Sequence, residues 1–160
     1  MFGLGCDPDN DQAIKDLLDL KQRPIDKGLI IIAAEVKQLE PYVDMLSDQL
    51  WQKAILSWPG AVSWLMPACS SVSKLLTGTH DTIAVRVTAH PVARALCEKF
   101  GKPIVSTSAN KTDQPPARYA QDVYDQFADQ VSCVVDGEVD ILSTPSEIRD
   151  LISDKIIRGH

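Results

Sequence analysis

Three cations stand within seven residues at Lys21-Gln22-Arg23-Pro24-Ile25-Asp26-Lys27, and this run leads directly into the apolar stretch Gly28-Leu29-Ile30-Ile31-Ile32-Ala33-Ala34. Arginine presents a planar fork and lysine a compact point charge, so the group suits the oxygens of an anion. Cations at the end of a helix also meet its dipole favourably, and that plainer account fits the same residues. A second group, Ser106-Thr107-Ser108-Ala109-Asn110, follows the short apolar run Ile104-Val105 and leads to Pro115-Pro116. Its small residues let a ligand approach the backbone, and its hydroxyl and amide groups both donate and accept. Polar loops after buried strands are where open α/β sheets bind ligands, although an ordinary surface loop has the same composition. Arg86 is the third candidate, in Asp81-Thr82-Ile83-Ala84-Val85-Arg86-Val87-Thr88. Alternation puts Ile83, Val85 and Val87 on one face and Thr82, Ala84, Arg86 and Thr88 on the other. An arginine inside a strand needs an anion, and either a structural carboxylate or a ligand would supply it.

The elements that must position these residues follow from pattern and punctuation. Asp9 or Asn10 caps a helix to about Lys21, with Ala13, Ile14, Leu17, Leu18 and Leu20 as its apolar stripe. Pro24 stops that helix, and residues 28–34 read as a strand buried on both faces, placing the cations near a sheet edge. Residues 35–58 read as two short helices, with Pro41 a kink in the first. Pro59-Gly60 turns the chain into a strand over 61–67, and a brief helix follows at 72–76. Pro91 opens a helix that Gly101 closes. Residues 119–127 read as a helix and 132–137 as a strand and turn. Residues 145–152 and 156–158 read as two strands across a Ser153-Asp154 turn. The three tryptophans read as packing residues. The opening Phe2-Gly3-Leu4-Gly5 lacks the third glycine of a dinucleotide fingerprint, so its glycines indicate a strand end or a close backbone approach. One α/β domain on a twisted mixed parallel and antiparallel sheet, with flanking helices, is the expected fold.

Composition narrows the function classes. A chain of 160 residues with 44% hydrophobic residues suits one soluble domain with a real core. The longest apolar run is too short to cross a bilayer, and no secretory leader is legible, so cytoplasm is the expected location. A net charge of −6 argues against whole-surface binding to nucleic acid, but not against a local cationic patch among the sixteen Lys and Arg. The four cysteines, Cys6, Cys69, Cys97 and Cys133, form no CxxC pair, and His80, His90 and His160 do not complete a metal-ligand spacing. Buried free thiols and no protein metal site are expected.

Taken together and in order, five blocks resemble the YrdC/TsaC family of threonylcarbamoyl-adenylate synthases, most closely its short bacterial form. They are Phe2-Gly3-Leu4-Gly5-Cys6-Asp7-Pro8; Lys21-Gln22-Arg23-Pro24 with Lys27-Gly28-Leu29-Ile30; Thr82-Ile83-Ala84-Val85-Arg86-Val87; Ser106-Thr107-Ser108-Ala109-Asn110 with Pro115-Pro116; and Pro145-Ser146-Glu147-Ile148-Arg149-Asp150 with Ile157-Arg158. The resemblance spans the chain and implies a YrdC-like domain over residues 1–160. It implies that L-threonine, bicarbonate and ATP, the last carrying Mg²⁺, become threonylcarbamoyl-AMP and pyrophosphate. The product would serve a transferase machinery that modifies adenosine 37 of tRNA to N6-threonylcarbamoyladenosine.

By family position, Lys21, Arg23 and Lys27 would be the catalytic cations. Arg23, Lys27, Thr82, Ser108, Pro116 and Arg158 would line the ATP side. Arg86, Ser106 and Ser146 would take threonine, with Arg86 on its carboxylate, and Asn110 would shape the loop. Two departures stand out. The family's first strand and helix, and a Pro-Thr-(Glu/Asp)-(Thr/Ala)-Val segment, would precede Phe2, and Met1 stands where that segment's last valine falls. The family's Leu-Ser-Gly after the loop is replaced by Lys111-Thr112-Asp113. Two other functions stay open at this level: a non-enzymatic RNA-binding or ribosome-maturation protein with weak RNA contact, and an inactive truncated member of the family.

Overall fold

Asn10 starts the first helix, its side chain accepting from the backbone N–H groups of Gln12 and Ala13. In this computed structural model, which describes residues 1–135, 137, 139 and 146–159, that helix α1 spans Asp11–Lys21. Ile14, Leu17 and Leu18 lie against the sheet, each contributing roughly 1.5–3 kcal/mol by leaving water. Gln22, in the left-handed region at φ 52°, ends α1 by donating its N–H to Asp19 and Leu18. The other helices are α2 (Asp48–Ile55), α3 (Lys74–Thr77), α4 (Pro91–Phe100) and α5 (Ala120–Phe127).

Seven strands form one sheet: β1 (Gly3–Leu4), β2 (Ile30–Ala33), β3 (Val62–Pro67), β4 (Thr82–Val87), β5 (Ile104–Ser108), β6 (Glu147–Asp150) and β7 (Ile156–Arg158), in the order β1-β5-β2-β4-β3-β6-β7. β2 runs parallel to β4 and β3 to β6, while the remaining pairs are antiparallel. The expected mixed α/β sheet is therefore present. One face carries Ile31, Ala33, Trp64, Met66, Ile83, Val85, Val87 and Val105, which share the main core with Ile14, Leu17 and Leu18 of α1 and Val123 and Phe127 of α5. On the other face a small cluster of Ile32, Ala34 and Cys97 packs with Ile30, Ala93 and Ile104 beneath α4. Elsewhere that second face carries polar and charged residues beside Ala84, Leu65 and Ile148.

Several expectations change. Ser106, Thr107 and Ser108 are strand, not loop, because Leu4 and Gly3 pair with Thr107 and Ser108 and prolong the ladder. Gly5 reflects that close approach, since a Cβ there would meet the Val105 carbonyl at 2.9 Å. The cation run leads into an interior strand of the sheet, not an edge. The first helix expected after β2 is two 3-10 turns, Val36–Gln38 and Glu40–Tyr42, because Pro41 has no N–H to continue a helix. Residues 132–135 form no strand, and Asp136 lies outside the described residues. The terminal hairpin forms as expected, with Asp154 at φ 62° in its turn, while Pro145 lies outside the described residues. All four thiols are free, but only Cys97 is buried; Cys6 and Cys69 are half-buried and Cys133 is exposed. Trp58 and Trp64 are buried in the core, as packing residues should be.

Candidate functional site

The buried stripe of α1 does not end on a leucine. Ile14, Leu17, Leu18 and Lys21 share one helical face, so Lys21 enters the interior and is only 3% exposed. Its ammonium donates to the Ser108 carbonyl and, at 2.7 Å, to the Asn110 carbonyl. Burial, reinforced by the charge of Arg23, pulls its pKa down to about 8. The next cation, Arg23, donates from Nη2 to the Gly28 carbonyl at 3.0 Å, while its buried Nε has no partner. Burial lowers its pKa, against a smaller opposing effect of Asp26.

The turn after Arg23 is held by close packing. Gly78, at φ 63°, follows α3 and lies so near the Ile25–Lys27 turn that a Cβ would meet the Asp26 carbonyl at 2.5 Å. Only glycine fits this conformation and approach without displacing the turn. The Lys27 side chain stands exposed at the end of that turn with no hydrogen-bond or ion-pair partner among the described residues.

Register assembles the rest. Ser106 lies opposite Ile30, Ile30 opposite Ala84, and Ala84 opposite Leu65. Ser63 lies opposite Ile148, and Ile148 opposite Arg158. Opposite residues share a face and alternate residues along a strand do too, so Ser106, Ser108, Thr82, Arg86, Ser63 and Arg158 all belong to the polar face. Ser146 joins them: its hydroxyl lies 3.2 Å from the buried Ser63 hydroxyl. The Ser146 carbonyl accepts from Arg158 at 2.9 Å through Nη2 and 3.3 Å through Nε.

Arg86 is central to this face. Its Nε is buried without a partner, and among the described residues its side chain makes no ion pair or hydrogen bond. Burial lowers its pKa, and the charge of Arg158 adds to the effect. Arg158 is lowered by burial and then by Arg23. Lys21, Arg23, Arg158 and Arg86 thus form a chain of cations in which each is repelled by the next. No described carboxylate pairs with any of the three arginines. Partly desolvated cations that repel one another, with two guanidinium Nε groups unsatisfied, are a site built for anions.

The other sequence candidates take secondary places. Thr82 is half-buried at the start of β4, and Pro116 is half-buried on the loop beside Ala117. That loop is closed by Ala117 N–H to the Ala109 carbonyl at 2.9 Å. The Asn110 amide donates to the carbonyls of Lys111 and Gln114, each at 2.9 Å, and bridges the ends of the next turn. A groove of about 1090 Å³ opens elsewhere, lined by Asp9, Glu35, Lys37, Tyr42, Arg94 and Lys102 among others. Most of its charges are already matched: Lys102 pairs with Asp7 and Asp9, Arg94 with Glu98, and Tyr42 donates to Asp9. We place the site at the unmatched cations for that reason. The thiols offer no nucleophile there: burial pushes Cys6 up to about 11 and also raises Cys97.

Lys21 was already named as a site cation from the sequence, but its inward position was not read there, nor was any part for Thr112. The inward position of Lys21 was legible, because it stands seven residues after Ile14 and four after Leu17 on the apolar stripe. Thr112 had no such signal: its backbone N–H and hydroxyl meet the carbonyls at the end of α1, which only the fold brings near.

Comparison with known proteins gives the family and the fold. The Sua5/YciO/YrdC family model, described as "Telomere recombination", matches residues 1–159. A threonylcarbamoyl-AMP synthase of Photobacterium profundum is 51% identical, over 99% of this chain and 86% of that protein. One from Vibrio vulnificus is 48% identical over the same shares. Among solved structures, P. abyssi Sua5 complexed with L-threonine superposes with a TM-score of 0.86 at 32% identity, covering 92% of this chain and 44% of that one. This chain therefore spans less than half of that Sua5 protein.

Proposed function

The chain belongs to the Sua5/YciO/YrdC family, and from that membership we propose that it is an L-threonylcarbamoyladenylate synthase, a nucleotidyltransferase acting on L-threonine, bicarbonate and ATP. The observation that carries the proposal is the unmatched cation cluster, with the Nε atoms of Arg23 and Arg86 left open.

Chemistry explains why cations and hydroxyls suffice. The threonine amine adds to bicarbonate, forming a C–N bond with loss of water, and gives a carbamate. A carbamate oxygen attacks the α-phosphorus of ATP; the new O–P bond forms as the bond to the β-phosphate bridge breaks, and the electron pair leaves with pyrophosphate. The nucleophile is made from substrates, so the protein's task is to position them and balance the moving charge. Arg23, Lys27 and Arg158 would take the triphosphate, with Thr82, Ser108 and Pro116 lining that side. Arg86 would pair the threonine carboxylate, near Ser106 and Ser146. Lys21 would add charge from beneath while holding the loop, and Asn110 would keep the loop's shape. Mg²⁺ would travel with the phosphates of ATP. The product would pass to a transferase machinery that modifies tRNA, with the cytoplasm as the place of action. Among the described residues no helix is long and apolar enough to cross a membrane.

Purified protein should release pyrophosphate from ATP only when threonine and bicarbonate are both present. Salt-sensitive tRNA binding without threonine-dependent release would replace this function with an RNA-binding one.

A proton should also move. The empty folded protein releases the Lys21 proton near pH 8, whereas the unfolded chain keeps it to about 10.5. In that window the unfolded state holds more protons, so the stability of the empty protein should rise with pH. A bound triphosphate favours the ammonium and raises its pKa. Calorimetric titration with ATP slightly above pH 8, in buffers of different ionisation enthalpy, should therefore show proton uptake, and Lys21→Met should abolish it. Proton release by the unsubstituted protein would contradict the placement of Lys21.

A further inference from the structure

Lys21 and Thr112 bind each other's segments in opposite directions. From α1, the Lys21 ammonium reaches out to the carbonyls of Ser108 and Asn110. From the loop, the Thr112 N–H returns to the Lys21 carbonyl at 2.9 Å. The single hydroxyl proton of Thr112 lies between the carbonyls of Gln22, at 2.9 Å, and Lys21, at 3.1 Å. The carbonyls at a helix C-terminus have no partner within the helix, so the loop supplies what α1 lacks.

We propose that this two-way clasp sets the separation between Arg23 and Ser108, and that Thr112 is a positioning residue for ATP although it touches no substrate. The inference rests on the ATP-side assignment made above. Arg23 follows immediately after Gln22, whose carbonyl Thr112 holds, and Ser108 is the residue whose carbonyl Lys21 holds. Movement of the α1 end away from β5 would therefore separate the two proposed phosphate contacts. The clasp is itself braced. Thr112 is the second residue of a turn closed by Gln114 N–H to the Lys111 carbonyl at 3.0 Å. The third residue, Asp113, takes a left-handed φ of 64°, which aspartate tolerates better than most residues. Gln126 holds both ends of the segment, accepting from Lys111 N–H at 3.3 Å and donating to the Pro115 carbonyl at 3.2 Å. Of the threonine-side residues, Arg86 and Ser146 lie on β4 and beside β6, outside this clasp, and Ser106 is held separately in the sheet by its pairing with Ile30.

Thr112→Val preserves shape and backbone N–H but removes the hydroxyl. It should raise KM for ATP about tenfold, the scale of one lost hydrogen bond that leaves carbonyls unmatched, with kcat and KM for threonine within about twofold. Thr112→Ser should restore ATP use. Thr112→Ala should give the same split if the branched methyls of valine disturb the turn. Unchanged kinetics in both variants, or an equal loss for both substrates, would overturn the clasp. Arg23→Ala in the same assay separates the two claims: if it loses ATP use while Thr112→Val does not, only the clasp falls. If Arg23→Ala is also indifferent, the ATP-side assignment falls with it.

Discussion

Arg23→Ala should lower kcat/KM for ATP by about 10²–10⁴ while leaving the fold nearly as stable as before. Two charge-assisted bonds to phosphate, at about 1.5–3 kcal/mol each, give a loss of that order. Arg23 offers the fold one hydrogen bond, from Nη2 to the Gly28 carbonyl. Against it stand an unmatched buried Nε and repulsion from Arg158 and Lys21. These opposing contributions should keep the melting temperature within about 4 °C, the shift that about 1 kcal/mol produces in a protein of this size. Near-normal turnover at limiting ATP would remove Arg23 from the phosphate site. A large fall in melting temperature would make it a structural residue instead.

Arg86 should divide the substrates the other way. Arg86→Ala should raise the threonine requirement far more than the ATP requirement. Arg86→Met should do the same while keeping most of the side-chain volume, with kcat/KM for threonine about 10²-fold lower and KM for ATP within about threefold. The sequence left open whether this arginine answers a structural carboxylate or a ligand. Among the described residues no carboxylate pairs with it, and its partly buried charge carries a desolvation cost that nothing there offsets. Arg86→Met should therefore melt at the same temperature as the unsubstituted protein or higher. Equal kinetic losses on both substrates, or a marked loss of stability, would return Arg86 to a structural ion pair.

The faces of β4 were readable because alternation along a strand is a local rule: Ile83, Val85 and Val87 fell to the core and Arg86 to the other side. The same holds for Asn10 as the cap of α1, Gly101 as the end of α4, and the terminal hairpin, each encoded within a few residues. The end of β5 was not readable in this way. Ser106-Thr107-Ser108 has loop composition, and it becomes strand because Gly3 and Leu4, about a hundred residues earlier, complete its ladder. Propensity is a weak prior where a distant partner supplies the hydrogen bonds.

The residue types of the site, their order and their resemblance to one family were determined by the sequence alone, since identity and spacing need no folding to be read. Tertiary structure decided how those types divide the work. Burial on the α1 stripe turned Lys21 from an apparent surface cation into the post beneath the Ser108–Asn110 loop. Pairing register brought Ser63, Arg86, Ser106 and Arg158 to one face from four different strands. The fold also brings Arg23, Arg86 and Arg158 near one another without a described acidic partner, at a cost in through-space repulsion and desolvation that no local pattern records.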